Sequence, residues 1–424
     1  MLQFILFSFL VVLLISNFSK GFMIIFVLST WLSCFSFLGQ NMMAFLSLAI
    51  LIIFVFKYGL KNLLSIIDFP FKKPFLLIAV SLVISNFFAE TKHYPTVIIS
   101  IISELFIVFV FWYLLNKEKN ITMKRLVNYS FAYALIIVCY TIFETITRSN
   151  PIVEYLNQVN AYSFEGLITE VRFGLKRSQS IFAMHTTNGA VSMLLFVFCY
   201  YAYAYGYFKK RKFLYYITFL LVFVVFSTGA RSVILGLVIS LLSVVYIGRV
   251  KLKYILGFLV SIIFVYLCFR MYLNEILNSF IDTKNVQGSN SDMRAIQFGI
   301  AFMFLQQSLW IGNGISYTWE FALPLHEELL GAESLWIPIM IDRGLLGIFS
   351  FVLFFVSLIR YCIKNESTEC VFVILGFLVA NTLSSLPNFS IIYISAYIYV
   401  IIMMKKNSKY EYKRVLSKNS ILSN

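Results

Sequence analysis

FLYYITFLLVFVVFSTGARSVILGLVISLLSVVYIG, residues 213–248, is the stretch that decides the fold. Two long apolar runs, 213–227 and 232–248, are split by a few small residues and one arginine, Arg231. Runs of this kind belong in lipid, where a helix satisfies every backbone N–H and C=O within itself. The arginine stands out because the chain keeps charge scarce. Of 424 residues, 12% are charged and 60% hydrophobic, with a mean hydropathy of +0.87. No soluble domain of this length hides so much apolar surface in its core.

Outward from this pair, further apolar runs fall near 1–18, 22–38, 41–56, 74–89, 96–115, 127–146, 188–208, 253–272, 334–359, 369–385 and 388–404. They predict an all-α polytopic membrane protein of about 12–13 transmembrane helices, with a large extracytoplasmic loop carrying short helices. No long repeat or linker interrupts the pattern, so residues 1–424 read as a single membrane domain. The opening MLQFILFSFLVVLLISNF lacks a basic start and a small-residue cleavage site, and reads as a membrane segment rather than a signal peptide. Six cysteines are scattered through apolar runs without a CxxC, which suggests neither a disulfide framework nor a metal site. A net charge of +15 would suit nucleic acid in a soluble chain, but no soluble basic domain with interleaved aromatics exists here.

The charge instead follows the loops. Alternate connections, including those with Lys57, Lys72, Lys117, Arg125, Lys209, Arg249, Arg360 and a tail with Lys405 and Arg414, collect 24 of the 34 Lys and Arg residues. By the positive-inside rule that side is cytoplasmic, with the C-terminus inside. The other side carries two long loops, about 148–187 and about 271–333, and the turn with Arg231. All three histidines, His93, His185 and His326, fall there.

Four outer stretches carry candidate chemistry. VRFGLKRSQSIFAMHTTNGA, 171–190, sets Arg172, Lys176, Arg177 and His185 just before a helix that Thr186, Thr187 or Asn188 would cap. A helix N-terminus with cations beside it suits an anion such as phosphate; capping with snorkelling headgroup contacts is the plain alternative. In Ser227-Thr228-Gly229-Ala230-Arg231-Ser232, Arg231 opens a helix, where the dipole disfavours a cation. A planar guanidinium placed there suits a phosphate or carboxylate partner, or else snorkels to headgroups. In GSNSDMRAIQFGIAFMFLQQSLWIGNGISYTWE, 288–320, residues 289–292 supply caps, Arg294 again sits at a helix start, and Gly312-Asn313-Gly314 makes a turn. That turn lacks the Lys-Ser/Thr of a phosphate loop.

The fourth stretch, LPLHEELLGAESLWIPIMIDRGLLG, 323–347, holds His326, Glu327, Glu328 and Glu333. The second histidine of a zinc-protease motif is missing. A histidine among carboxylates can serve as general base for a hydroxyl nucleophile, or be an ordinary loop residue. Asp342-Arg343 reads as a local ion pair before close helix packing at Gly344 and Gly347. Glu104 lies in mid-span, where an acid is costly.

In their order along the chain these pieces resemble the O-antigen polymerase and O-antigen ligase proteins of bacterial envelopes. The resemblance rests on Ser-Thr-Gly-Ala-Arg-Ser at 227–232, Arg294 in Ser-Asp-Met-Arg, Gly312-Asn313-Gly314, His326, Glu333-Ser334 and Gly344-Leu345-Leu346-Gly347. It covers about 170–356, with a family core at 226–360; the family's usual Pro-Asn ahead of residue 190 is absent. The resemblance implies a glycosyltransferase of the bacterial cytoplasmic (inner) membrane that uses undecaprenyl-pyrophosphate-linked oligosaccharide at its outer face, with no cofactor or metal. Arg231 and Arg294 would stabilise the departing pyrophosphate. His326 would take the acceptor proton, with Glu333 or Glu327 beside it. Arg172, Arg177, His185 and Glu327 would bind substrate. Membrane lipids are implied partners, as are a chain-length regulator and a flippase; nucleic acid is not.

A polymerase, whose acceptor is another lipid-linked repeat unit, is the first expectation, and a ligase acting on a lipid A core sugar the second. A flippase would share the topology but predicts polar residues along mid-membrane helix faces, of which the chain offers little beyond Glu104.

Overall fold

Every predicted apolar run that falls among the described residues is helical over most of its length. The computed structural model describes residues 2–38, 40–159, 171–172, 175–207, 212–246, 274, 291–329, 333–384 and 390–421. The expected helix at 253–272 and the expected caps at 289–290 lie outside these residues.

The helices are α1 (Leu2–Ser16), α2 (Phe18–Leu32), α3 (Met42–Tyr58), α4 (Lys72–Phe88), α5 (Tyr94–Lys117) and α6 (Lys119–Thr147). They continue as α7 (Pro151–Val159), α8 (His185–Ala204), α9 (Lys212–Ser227), α10 (Arg231–Tyr246) and α11 (Ser291–Gln307), and end with α12 (Trp336–Lys364), α13 (Glu369–Thr382) and α14 (Ile394–Ile421). Local chemistry sets several ends. Asn17 and Asn41 accept from the Lys20 and Met43 amides as caps of α2 and α3. Pro338 falls in the first turn of α12, where its missing N–H costs nothing. Two short antiparallel hairpins, Ser36–Phe37 with Gln40–Asn41 and Val171–Arg172 with Leu175–Lys176, are the strands among the described residues.

Among the described residues, four helices have the length and composition to cross a membrane unaided: Tyr94–Lys117, Ile121–Thr147, His185–Ala204 and Trp336–Lys364. A fifth arises if α3 and the 3₁₀ turn Leu60–Asp68, bent by 103°, count as one span. Other apolar helices, such as α1, α2 and α13, run to 15 residues or fewer. At 1.5 Å per residue these fall short of a hydrocarbon core about 30 Å thick. The architecture is polytopic and all-α as expected, with several spans shorter than the hydropathy pattern implied.

A phenylalanine-rich core fills the bundle: Phe18, Phe22, Phe26, Phe54, Phe109, Phe111, Phe196 and Phe198 are all buried. The ends of the bundle differ in kind. At one, Lys405 on α14 pairs with Glu369 at the start of α13 (2.6 Å), and Tyr205 donates to the same carboxylate. Arg125 donates to Ser19. All of these belong to connections that the charge pattern groups on one side. The other end holds Glu144, residues 176–180, the Arg231 turn and the helices around 291–335.

The tightest crossing lies between α10 and α13, which run antiparallel. A Cβ on Gly236 would stand 2.5 Å from the Gly376 carbonyl oxygen, and one on Gly376 would strike Ser240 and the Gly236 carbonyl. Glycine lets the two backbones touch, as small residues do where membrane helices pack without water to drive them. Gly376→Leu is expected to separate the pair and cost about 1–3 kcal/mol or more. A fall in the thermal unfolding midpoint of detergent-purified protein, with α10 cysteine probes turning reactive, checks it.

Candidate functional site

Arg231 is the first residue of α10, and the turn before it is built for close approach. Gly229 has φ +59°, while Ser227, Thr228 and Ala230 are buried. The Thr228 hydroxyl accepts from the Ala230 N–H and donates to the Val225 carbonyl, so it ends α9 and helps begin α10. Gly189 of α8 packs on this turn; a Cβ there would stand 3.1 Å from Val233 Cγ1 and 3.2 Å from Thr228 Oγ1.

The segment 176–180 lies against the same turn. Arg177 Nε donates to the Thr228 carbonyl (2.9 Å), and the Ser178 N–H donates to the Ser227 carbonyl (3.0 Å). Arg177 and His185 are buried, and Arg231 is half-buried. The two basic motifs, over 50 residues apart in sequence, therefore share one backbone turn. Arg172 pairs with Leu175 in the short hairpin; its side chain lies outside the described residues. The expected caps of α8 are not used as such. The helix starts at His185, behind Met184 in extended conformation, and Asn188 donates its amide to the Ser178 carbonyl (3.3 Å). Asn188 ties the basic segment to α8 rather than capping it.

A second cluster forms on α11. Arg294, Gln297, Ala301 and Phe304 recur at three- and four-residue spacing and so share a face. Gln297 donates to the Glu328 and Leu329 carbonyls (3.2 and 3.0 Å), and Phe304 meets the His326 ring edge-on with centroids 5.6 Å apart. Ala301, Phe304, Ala322, Leu329, Ile337 and Ile341 make a small apolar core separate from that of the bundle. This core holds the His326-Glu327-Glu328 turn against α11. Burial pushes the Arg294 pKa down, and the Glu333 charge opposes that shift. Glu333 thus acts on Arg294. Glu327 and Glu328 are exposed.

Gly312-Asn313-Gly314 and Asp342-Arg343-Gly344 prove to be one device. Gly344 breaks α12 with φ +60° and ψ −155°. The carbonyls freed at the break accept from the turn: Asn313 N–H to Ile341 (2.9 Å) and Gly314 N–H to Asp342 (3.0 Å). In return the Leu345 and Leu346 amides donate to the Leu309 and Trp310 carbonyls (2.9 and 3.0 Å). The expected Asp342–Arg343 ion pair is corrected in this light. Asp342 accepts from the Thr318 N–H (2.8 Å) and hydroxyl (2.6 Å), while the Arg343 guanidinium lies over the Phe351 ring, 5.6 Å from its centroid. Beyond the break, the Leu335 N–H donates to the Asn381 carbonyl (2.9 Å), and Trp336 Nε1 to Thr382 Oγ1 (2.9 Å). These contacts bring the Glu333 segment to the end of α13 at which α10 begins. Among the described residues no three His, Cys, Asp or Glu side chains lie together as a metal site would need.

Residues 216–352, which carry the Arg231 turn, the α11 cluster and the glycine break, match the family model of O-antigen ligase. Over this segment the chain is similar to the O-antigen ligase and polymerase family, and the match supports that family. No curated protein matches it. Members of this family are glycosyltransferase-like enzymes, and the family implies lipid-linked oligosaccharide substrates in membranes. The match includes Arg231, Arg294, His326, Glu327 and Glu333 and stops short of Arg172, Arg177 and His185. What binds Arg177 to the family segment is the hydrogen bond to Thr228.

One residue beside this cluster escapes the sequence. Glu144, in the last turn of α6, is buried at 1% side-chain exposure with three donors on one oxygen. Its signal was available: an acid inside an apolar run, of the sort that marks Glu104.

Proposed function

We propose that the protein is a polysaccharide polymerase of the bacterial cytoplasmic membrane, with the Arg231 end of the bundle facing outward and the C-terminal tail in the cytoplasm. It moves the growing glycan from undecaprenyl pyrophosphate to a hydroxyl of another lipid-linked repeat unit. The observation that carries this reading is the shared turn: Arg177 and Arg231 come from separate outer loops and are fixed on one stretch of backbone. Two guanidinium groups so placed suit a pyrophosphate, whose charge grows as it leaves.

In the step itself, the acceptor oxygen forms a bond to the anomeric carbon as the bond from that carbon to the pyrophosphate oxygen breaks. The acceptor proton passes to His326, and Arg231 and Arg294 take up the charge on the departing lipid pyrophosphate. His185 sits at the N-terminus of α8, on the donor side with Arg177 and Arg172. Glu333 serves as counter-charge to Arg294. Glu327, exposed beside His326, is left to meet the acceptor.

A ligase, the activity in the description of the matched family, is the second reading. It needs the same pyrophosphate grip and differs in the acceptor. Purified protein given one lipid-linked repeat unit and no other acceptor separates the two. A ladder of product lengths is expected. Product formed only when lipid A core is added means a ligase, and no glycosyl transfer under either condition favours a transporter.

A further inference from the structure

We propose that Glu144 is a positioning residue for the lipid pyrophosphate: its buried carboxylate fixes residues 176–180 so that Arg177 is held on the turn that opens α10. This rests on the pyrophosphate grip described above. An acid buried near the end of an apolar helix is costly unless its lone pairs are filled. Here they are. Glu144 Oε2 accepts from the Ser178 hydroxyl (2.8 Å), the Gln179 N–H (3.0 Å) and the Ser180 N–H (2.7 Å). Oε1 lies 3.6 Å from Lys176 Nζ. One side chain thus holds the whole segment, on the side away from the turn that Arg177 and Ser178 contact.

Two further features show that the segment is constrained. Ser180 has φ +52°, a left-handed conformation that a serine adopts only when its surroundings impose it. Asn150 Nδ2 donates to the Ser180 carbonyl (2.8 Å), and the Ser180 hydroxyl donates to the Ile137 carbonyl (3.2 Å). The three donors that converge on Glu144 Oε2 call for an anionic oxygen. A glutamine there would weaken all three bonds and set an amide N–H₂ toward Lys176. The carboxylate also neutralises Lys176, so the charge offered at the turn is that of Arg177 and Arg231.

The test uses full-length purified protein and undecaprenyl pyrophosphate as the probe, comparing wild type, Glu144→Gln, Arg177→Ala and the double variant. Each single variant is expected to weaken binding about 10- to 100-fold, as loss of positioning does. The double variant should bind no more weakly than Arg177→Ala, because Glu144 acts through the segment that bears Arg177. Losses that multiply, or wild-type binding by Glu144→Gln, overturn the proposal. Hydrogen exchange gives a readout independent of ligand: the Gln179 and Ser180 amides should exchange at least about tenfold faster in Glu144→Gln, with α8 and α10 unchanged. Unchanged exchange also overturns it. If Glu144→Gln does not fold, Glu144→Asp, which keeps the charge one methylene short, takes its place with the same criteria. Wild type that binds undecaprenyl pyrophosphate yet forms no polymer would overturn the polymerase reading and leave Glu144 its role.

Discussion

Arg231→Ala is expected to lower the rate of chain elongation by about 10²- to 10³-fold, the usual loss when one preorganised donor to a developing anion is removed. The guanidinium stands at the first residue of α10, where the helix dipole opposes a cation. Its backbone is fixed from three directions: by the Thr228 cap, by Gly189 of α8 and by the Gly236–Gly376 crossing five residues further on. The side chain is half-buried, so its removal opens no large cavity in the core. Insertion and thermal stability should therefore stay close to wild type while turnover collapses. Arg231→Lys should recover little, since an ammonium lacks the planar fork that meets two phosphate oxygens at once. Arg294→Ala and His326→Ala belong to the same test, made from the α11 side. Polysaccharide of normal length from cells that carry any of the three as sole copy would remove that residue from the mechanism.

The sequence reveals the helices because lipid imposes one solution on an apolar run, and the Arg231 turn because charge is rare enough to notice. What it does not reveal is how segments meet. The Gly312 turn and the Gly344 break look like separate glycine motifs. Their union consists of backbone hydrogen bonds between stretches about 30 residues apart, and main-chain pairing leaves no trace in side-chain type. The Asp342–Arg343 neighbours suggest an ion pair by adjacency alone. On a helix, adjacent residues point apart, so each finds its contact elsewhere, in Thr318 and the Phe351 ring. Helix length misleads for a related reason. Hydropathy counts apolar residues, whereas the helices in the runs 22–38 and 369–385 end already at Leu32 and Thr382. Glu144 is passed over because no residue type ties an acid on one helix to the loop that follows it. Only the fold shows that residues 176–180 cover it.

Gly344→Ala is expected to cost at least about 3–4 kcal/mol and to leave little folded protein, the largest effect on stability of any single substitution considered. Two penalties combine. At φ +60° and ψ −155° the backbone occupies a region open to glycine and strained for any residue with a Cβ. That Cβ would also stand 2.6 Å from Gly312 N, 2.8 Å from the Leu309 carbonyl oxygen and 2.8 Å from the Trp310 carbonyl carbon. All three are backbone atoms and cannot swing aside. Relief requires the 309–314 turn to leave α12, which breaks the four interlocking hydrogen bonds and exposes two carbonyls in mid-helix. The turn also bears on α4, for a Cβ at Gly314 would collide with Ala89, and His93 lies 3.1 Å from Glu320 just beyond. Displacing it would therefore loosen the outer helices as a unit and carry Phe304, and with it His326, out of register. Gly299→Ala supplies the control: a Cβ there meets nothing within 4 Å, and alanine in mid-helix should be neutral or stabilise by about 0.5–1 kcal/mol. Size-exclusion profiles and thermal unfolding of the two variants in detergent decide the matter, and a Gly344→Ala protein as monodisperse and stable as wild type would mean that the 309–314 turn is not what closes the break in α12.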